Sequence, residues 1–419
     1  MVDVTLPFER RELNLRYLFL DLNSYFASVE QQERPELRGR AIAVAPVEAE
    51  TTFVIASSYE AKAKGVKCGT MVREARSLCP GIEIVHARPK VYVSYHKQIL
   101  EAVESVLPIE EVCSIDEMRF RLLGEEREPA VAMELGRTLK RTIREQVGEY
   151  LGCSVGIAPN PFLAKLATEI QKPDGLVCLT KEDLPSRLYG LKLTDFTGIN
   201  RKMAARLNGA GLFTAEDLCN ASKQDLHLAF GSIVGEKWWY LLRGFDLGSE
   251  SRPQKTLGHS HVLAPELRSD SGCREVMLRL MTKASARLRA SELWTGSMVL
   301  FVRGFKRSWE CRVKLPPTQD SVTLTEHFLE VWNSRDFDSP RSVGVTFHDL
   351  HTRTEVTPSL FDETVARSAL SHAMDGVNQK FGKNSIFLAG MEHARNSADE
   401  KIAFQKTWLF SEGKGGNEI

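Results

Sequence analysis

The sequence predicts a multidomain α+β protein, and three observations carry that prediction. Its 419 residues exceed what one hydrophobic core ordinarily organises. Short apolar, strand-like runs alternate with helical periodicity through Ile170, as in a sheet with helices packed on it. Beyond Arg243 the pattern changes to longer alternating stretches on a basic background. The composition is otherwise that of an ordinary globular chain. Lys plus Arg and Asp plus Glu each number 55, so the net charge of zero points to no particular partner, although it can conceal a basic face. The eight cysteines are scattered without a Cys-x-x-Cys pair, which argues against zinc fingers and disulfide frameworks and suits a reducing cytoplasm. Met1 to Leu15 lacks the apolar stretch of a leader, and no run of eighteen apolar residues follows, so neither export nor membrane insertion is expected.

Taken in order, Tyr17 to Leu20 is wholly apolar, as in a strand buried on both faces, and it runs into Asp21. Asn23 or Ser24 is the expected cap of a helix carrying Tyr25, Phe26 and Val29. Alone, Asp21 would be a turn-making acid at the strand tip. Residues 53–56 form a second short apolar run, followed by a helical stretch over 57–66 in which Tyr59 and Lys62 share a face. A phenol and an ammonium so placed can hold a phosphate, though an amphipathic helix ended by Gly65 has the same pattern. Between Gly81 and Leu107, Tyr92, Tyr95, Ile99, Val103 and Val106 recur at helical steps until Pro108.

Cys113-Ser114-Ile115-Asp116-Glu117-Met118 then sets two adjacent carboxylates after an apolar approach. Neighbouring acids in a strand face opposite ways, and a buried charge is costly unless it is paired or metal-bound. A divalent cation would resolve the conflict, and an exposed strand end would avoid it. A strand through Phe120 and Leu122, a helix over 131–147 and a strand over 153–158 follow. Asn160-Pro161 then starts a helix whose buried stripe is Phe162, Leu163, Leu166 and Ile170, with Lys165 at its margin. Further on, residues 243–315 hold fourteen Lys or Arg against seven Asp or Glu, the basic region hidden in the totals. Strands over 297–302 and 309–315 and helices over 274–290 and 324–333 are expected there, and a tether with a late helix over 365–381 beyond Leu350. The glycine-rich end, 413–416, reads as disordered.

Four of these stretches occur together: Phe19-Leu20-Asp21-Leu22-Asn23-Ser24-Tyr25-Phe26-Ala27-Ser28-Val29-Glu30, the piece from Tyr59 to Lys67, Ser114-Ile115-Asp116-Glu117, and Val155-Gly156-Ile157-Ala158 leading to Lys165-Leu166-Ala167. In that order they resemble the Y-family, or translesion, DNA polymerases, and within it the DNA polymerase IV group, over roughly residues 15–350. The resemblance implies a right-hand polymerase with a palm (15–25 and 88–180), small fingers (26–87), a thumb with a helix-hairpin-helix (181–245), a DNA-binding little finger (253–350) and a C-terminal tail (351–419). It implies template-directed addition of dNTPs to a primer 3′ end past damaged bases. Two Mg²⁺ ions would be bridged by Asp21 and Asp116, with Glu117 on the primer side and the Leu22 carbonyl on the nucleotide side. Phe26 matches the steric gate against a 2′-hydroxyl, and Tyr25, Tyr59, Lys62 and Lys165 match positions around the incoming nucleotide. The family often has arginine at the place of Lys62, and a Ser or Thr hydroxyl at that of Ala56.

Phe196-Thr197-Gly198-Ile199-Asn200-Arg201-Lys202-Met203-Ala204 resembles a helix-hairpin-helix, implying a DNA-phosphate grip at Gly198, Asn200, Arg201 and Lys202. Asn200 stands at the usual second glycine and would take its left-handed conformation. Phe230-Gly231 with Gly235-Glu236-Lys237 resembles a second, weaker hairpin. The basic region resembles the little finger, whose hold on the duplex backbone should be salt-sensitive. Thr357-Pro358-Ser359-Leu360-Phe361 resembles peptides that attach such polymerases to the sliding clamp, without the usual leading glutamine, which makes the clamp a candidate partner through Leu360 and Phe361. The expected partners are primer–template DNA and a dNTP, with no membrane, for a monomer in the bacterial cytoplasm at the nucleoid. The alternative is a catalytically inactive Y-family-like DNA-damage scaffold; such homologues lack the acids that this chain keeps.

Overall fold

A computed structural model describes residues 14–47, 49–248, 254–357, 362–395 and 397, with 362–365 described by backbone alone. The chain divides into two compact units that meet in sequence near residue 250. In the first, β1 (Tyr17–Leu22) is buried at every position, as its apolar run predicts. The helix α1 (Tyr25–Glu33) follows without the expected side-chain cap: Ser24, at φ +50, makes no capping bond. Asn23 is engaged across the sheet instead, its Nδ2 donating to Ser154 Oγ (3.0 Å) and its Oδ1 accepting the Asp174 N–H (2.7 Å).

Three short strands, β2 (Ile42–Ala45), β3 (Ala56–Ser57) and β4 (Glu83–His86), make a separate sheet in the order β3-β2-β4. The strand expected over 53–56 is mostly absent. Phe53 makes only an isolated bridge to Met71 and is 46 % exposed, because the small core here has room for Val54, Ala61 and Val66 but not for every apolar side chain of the run. The helix expected over 57–66 is the single turn α2 (Tyr59–Lys62), capped by Ser58 and followed by Gly65 at φ +90. After α3 (Val72–Leu78), α4 (Pro89–Glu104) begins later than the periodicity from Gly81 suggests, since residues 83–86 are taken by pairing with β2.

An unexpected strand, β5 (Ile109–Val112), forms the edge of a five-stranded sheet, where its acids can stay in water. Then come β6 (Glu117–Arg121), α5 (Pro129–Gln146), β7 (Cys153–Ala158), α6 (Pro161–Ile170) and β8 (Leu176–Cys178), giving the order β5-β6-β1-β7-β8. Because β1 is antiparallel to both neighbours, Asp21 lies opposite Glu117 on one side and Ser154 on the other. The unit continues with α7 (Arg201–Gly209), α8 (Ala215–Asn220), α9 (Lys223–Phe230) and α10 (Ile233–Leu242), packed around Phe196, Leu207, Leu226 and Trp238.

Glu30 ties α1 to the start of α4. Its side chain is fully buried and accepts from Arg88 Nε (3.0 Å) and Nη2 (2.6 Å), from Tyr92 Oη (2.7 Å) and from Arg34. Burial alone would raise its pKa, but these donors outweigh burial and hold the carboxyl below the ordinary glutamate range. A lowered carboxylate pKa contributes stability that is complete above the unfolded value and is lost as pH falls through the folded one. Glu30→Gln is therefore expected to lower urea-unfolding stability at pH 7 by about 2 kcal/mol, less than for a fully buried pair because both arginines reach solvent. The deficit should shrink in unfolding experiments below pH ~4; equal stability of the two proteins at pH 7 would contradict this role.

The second unit has β9 (Leu257–Val262), α11 (Asp270–Ala290), β10 (Leu293–Gly304), β11 (Trp309–Thr318), α12 (Ser321–Trp332) and β12 (Pro340–Thr352), with the sheet order β11-β10-β12-β9. The chain beyond Leu350 is more than a tether: α13 (Asp362–Phe381) docks through Asp375, which accepts from Arg289 Nε (2.5 Å) and Nη2 (2.9 Å). Met391 and Ala394 are buried in the same core as Met277 and Met281 of α11. No helix among the described residues is long and apolar enough to cross a membrane.

Candidate active site

The turn before β6 solves the problem of two adjacent acids. Cys113 and Ser114 both donate their N–H to Glu117 O (2.9 and 3.2 Å), and Leu22 N–H donates to Asp116 O (2.9 Å). Asp116 thus lies in the bend, steadied by a hydrogen bond from Ser114 Oγ to its Oδ1, while Glu117 opens the strand. Asp21 is only 7 % exposed. Burial pushes its pKa up to about 6, with Lys172 opposing and the Glu117 charge adding to the rise. Burial also raises Asp116, against the Ser114 hydrogen bond and with Glu117 again adding.

The three acids are neighbours along the backbone ladder, but each side chain has its own partner. Lys172 Nζ lies 3.1 Å from Asp21 Oδ2 and 2.6 Å from Glu169 Oε1. Lys165 pairs with Glu117, its Nζ 5.1 Å from the centre of the Phe19 ring. Among the described residues no three Asp, Glu, His or Cys side chains converge as a ready metal cage.

Lys172 escapes sequence reasoning, as does Glu169. Helical periodicity stops at Ile170, and Lys172 lies in the loop just after it, before Pro173. The only signal there was a lysine before a Pro-Asp-Gly turn. Burial disfavours its charge, but Asp21 and Glu169 outweigh burial and raise its pKa. Its field reaches Tyr59 and Lys62: burial and then the Lys172 charge lower Lys62, while burial raises the Tyr59 phenol. Lys62 Nζ sits 4.4 Å from the Tyr59 ring centre, so phenol and ammonium do share a face. Tyr59, Lys62 and Lys172 together form a half-buried cationic corner beside Asp21, suited to an anion.

Phe26 is 3 % exposed and stacks on Tyr92, the centroids 4.6 Å apart with 19° between planes. Tyr25 is also buried, and its hydroxyl donates to Tyr92 O (2.6 Å), fixing the backbone under that stack. Burial, and then the Asp116 charge, raise the Tyr25 phenol. Leu22, whose carbonyl was expected to face a cation, pairs with Cys153 across the ladder.

The first hairpin is built differently from its expected form. Gly198 has φ +101, but Asn200 is extended at φ −85 and caps α7, its Oδ1 accepting the Met203 N–H (2.9 Å). Its short side chain is thus used for capping, not for left-handed backbone. Arg201 and Lys202 are exposed in the first turn of α7, and before the turn stands only the short 3₁₀ piece Leu193–Asp195. The second hairpin has full helices on both sides: Gly231 at φ +60 ends α9, and Gly235 lets α10 approach so closely that a Cβ would lie 2.0 Å from Leu226 O. Leu360 and Phe361 lie outside the described residues.

Comparison with known proteins places these elements. Residues 20–169 match the model of the impB/mucB/samB family, and residues 254–360 match that family's C-terminal domain. The DNA polymerase IV of Moorella thermoacetica is 32 % identical over 384 residues, which cover 89 % of this chain and 95 % of that protein. DNA polymerase IV 1 of Bacillus subtilis is 26 % identical over 410 residues, covering 94 % and 97 %. Among solved structures, the Y-family DNA polymerase chimera Dbh-Dpo4(243-245)-Dbh aligns with a TM-score of 0.66 at 22 % identity, over 81 % of this chain and all of the other, which shows a shared fold. With both family models matched in order and a relative aligned over nearly its whole length, the chain belongs to the impB/mucB/samB family, the Y-family of DNA polymerases.

Proposed function

We propose that this chain, a DNA-directed DNA polymerase by family, extends a primer 3′ end past damaged template bases with Asp21, Asp116 and Glu117 as the ligands of two Mg²⁺ ions. The observation that carries this reading is the register of the central strands, which sets Asp21 opposite Glu117 while Asp116 is bonded to Leu22, next to the cationic corner of Tyr59, Lys62 and Lys172. The donor set fits a hard divalent cation: carboxylate oxygens, partly desolvated and mutually repelling, with ammonium groups beside Asp21 and Glu117 and the Ser114 hydroxyl on Asp116. When bound, the two ions would activate the primer hydroxyl and neutralise charge on the leaving pyrophosphate.

The chain's own groups supply the rest. In the reaction the primer 3′-hydroxyl gives up its proton to solvent, its oxygen bonds to the α-phosphorus, and the bond from that phosphorus to the pyrophosphate oxygen breaks. Tyr59, Lys62 and Lys172 hold the triphosphate, so Lys172 exchanges Asp21 for phosphate oxygens, and Lys165 serves the primer side through Glu117. The five-stranded sheet with α4, α5 and α6 acts as palm, the three-stranded sheet as fingers, α7 to α10 as thumb and the second unit as little finger.

Phe26, wedged on Tyr92, stands as the wall against a 2′-hydroxyl. Phe26→Ala is expected to lower dNTP-over-rNTP selectivity about 10²-fold. Because a buried Phe→Ala change also opens a cavity, Phe26→Leu serves as the better-packed companion and should give a smaller loss in the same direction. Unchanged selectivity in both, measured by single-nucleotide insertion, would remove Phe26 from this role. The reading as a whole is tested by primer extension on intact and lesion-bearing templates. Bypass by the wild-type protein supports it, whereas an inactive scaffold extends neither template.

A further inference from the structure

Helix α4 carries a histidine where its packing calls for an apolar side chain. His96 is 1 % exposed, on the same buried face as Tyr92, Ile99 and Val103. Its Nδ1 lies 2.8 Å from the Ile115 carbonyl oxygen. A carbonyl can only accept, so Nδ1 carries the proton and Nε2 the lone pair. That Nε2 is buried and has no hydrogen-bond partner among the described residues. A bare buried nitrogen is unfavourable, and a leucine would fill the space without it, so the one polar benefit of this ring is the bond to Ile115. Burial holds the imidazole below its ordinary pKa, against the pull of that bond, and so keeps it neutral.

Ile115 immediately precedes Asp116. The other side of the same turn is secured by Leu22 N–H on Asp116 O and by the two N–H groups on Glu117 O. His96 adds a tie from the helical layer, so Asp116 stands between a peptide held by α4, through the Ile115 carbonyl, and a peptide held by the sheet, through its own carbonyl. We propose that His96 is a positioning residue for Asp116: by fixing the Ile115 carbonyl against α4 it sets the direction in which the Asp116 carboxylate leaves the turn. This rests on the reading of Asp116 as a metal ligand.

The test uses the full chain with three measurements: Mn²⁺ binding by electron paramagnetic resonance, Mg²⁺ dependence of primer extension, and thermal melting. His96→Leu should weaken Mn²⁺ binding, and raise the Mg²⁺ needed for half-maximal extension, about tenfold or more. His96→Asn, whose amide N–H can stand in for Nδ1–H, should restore most of both. A merely structural histidine predicts lower melting temperatures with unchanged Mn²⁺ affinity. A folded His96→Leu protein with wild-type Mn²⁺ affinity would overturn the inference, as would an Asn variant no better than Leu. Should the Leu variant not fold, ¹⁵N-histidine spectra of the wild type decide: an Nδ1–H tautomer is required, and an Nε2–H tautomer overturns the inference. A wild type that neither binds Mn²⁺ nor extends primers would overturn the metal reading itself, an outcome distinct from the failure of His96 alone.

Discussion

Asp116→Asn should slow insertion of a matched dNTP about 10³-fold or more, while primer–template binding stays within about twofold of wild type. Asparagine keeps the shape of the side chain and can still accept from Ser114, and the backbone bond from Leu22 to residue 116 is untouched. What is lost is one negative charge in a buried cluster where charge is already unfavourable. The variant should therefore fold at least as well as the wild type. Single-turnover insertion measures the first quantity and fluorescence anisotropy the second. Insertion within tenfold of wild type would show that Asp116 does not hold the reacting groups.

The second large effect concerns Lys172, and it divides two lysines that the sequence does not. Lys172→Met keeps the aliphatic stem and removes the ammonium that neighbours Asp21, Glu169, Tyr59 and Lys62. A charge-assisted hydrogen bond to phosphate contributes about 1.5–3 kcal/mol, so kcat/KM for dNTP should fall roughly 10- to 100-fold, mainly through KM. Lys165→Met removes the partner of Glu117 instead and should leave KM for dNTP nearly unchanged while altering Mg²⁺ dependence. The reverse outcome, a raised KM in Lys165→Met with none in Lys172→Met, would return the triphosphate to Lys165.

Of the residues in the proposed site, those in or beside regular elements could be placed from the sequence. Asp21 is the last residue but one of an apolar strand, Glu117 opens another with Asp116 in the bend just before it, and Tyr59 and Lys62 are three apart in a helical turn. Lys172 could not, because a loop after a helix has no period, and what brings it over Asp21 is the return of the chain into β8. His96 was hidden for the opposite reason: it falls on the apolar stripe of α4, where periodicity treats it as core. β5 was missed because its Glu-Glu centre lacks the alternation of a half-buried strand, which an edge strand in water does not need. Asn200 was read for the conformation its backbone tolerates, yet its side chain settled the matter by capping α7. Beyond Leu350, short apolar pieces such as Met391 and Ala394 are buried by tertiary packing on α11, which no local pattern announces.

The most direct test is a Mg²⁺ titration of single-nucleotide insertion by the wild-type protein at saturating primer–template and dNTP, starting from chelator-treated enzyme. Two cooperating ions held by Asp21, Asp116 and Glu117 predict no insertion with EDTA and a rate that rises more steeply than first order in Mg²⁺ before it saturates. Insertion that proceeds unchanged in EDTA would contradict the carboxylate centre as the place where the bond is made.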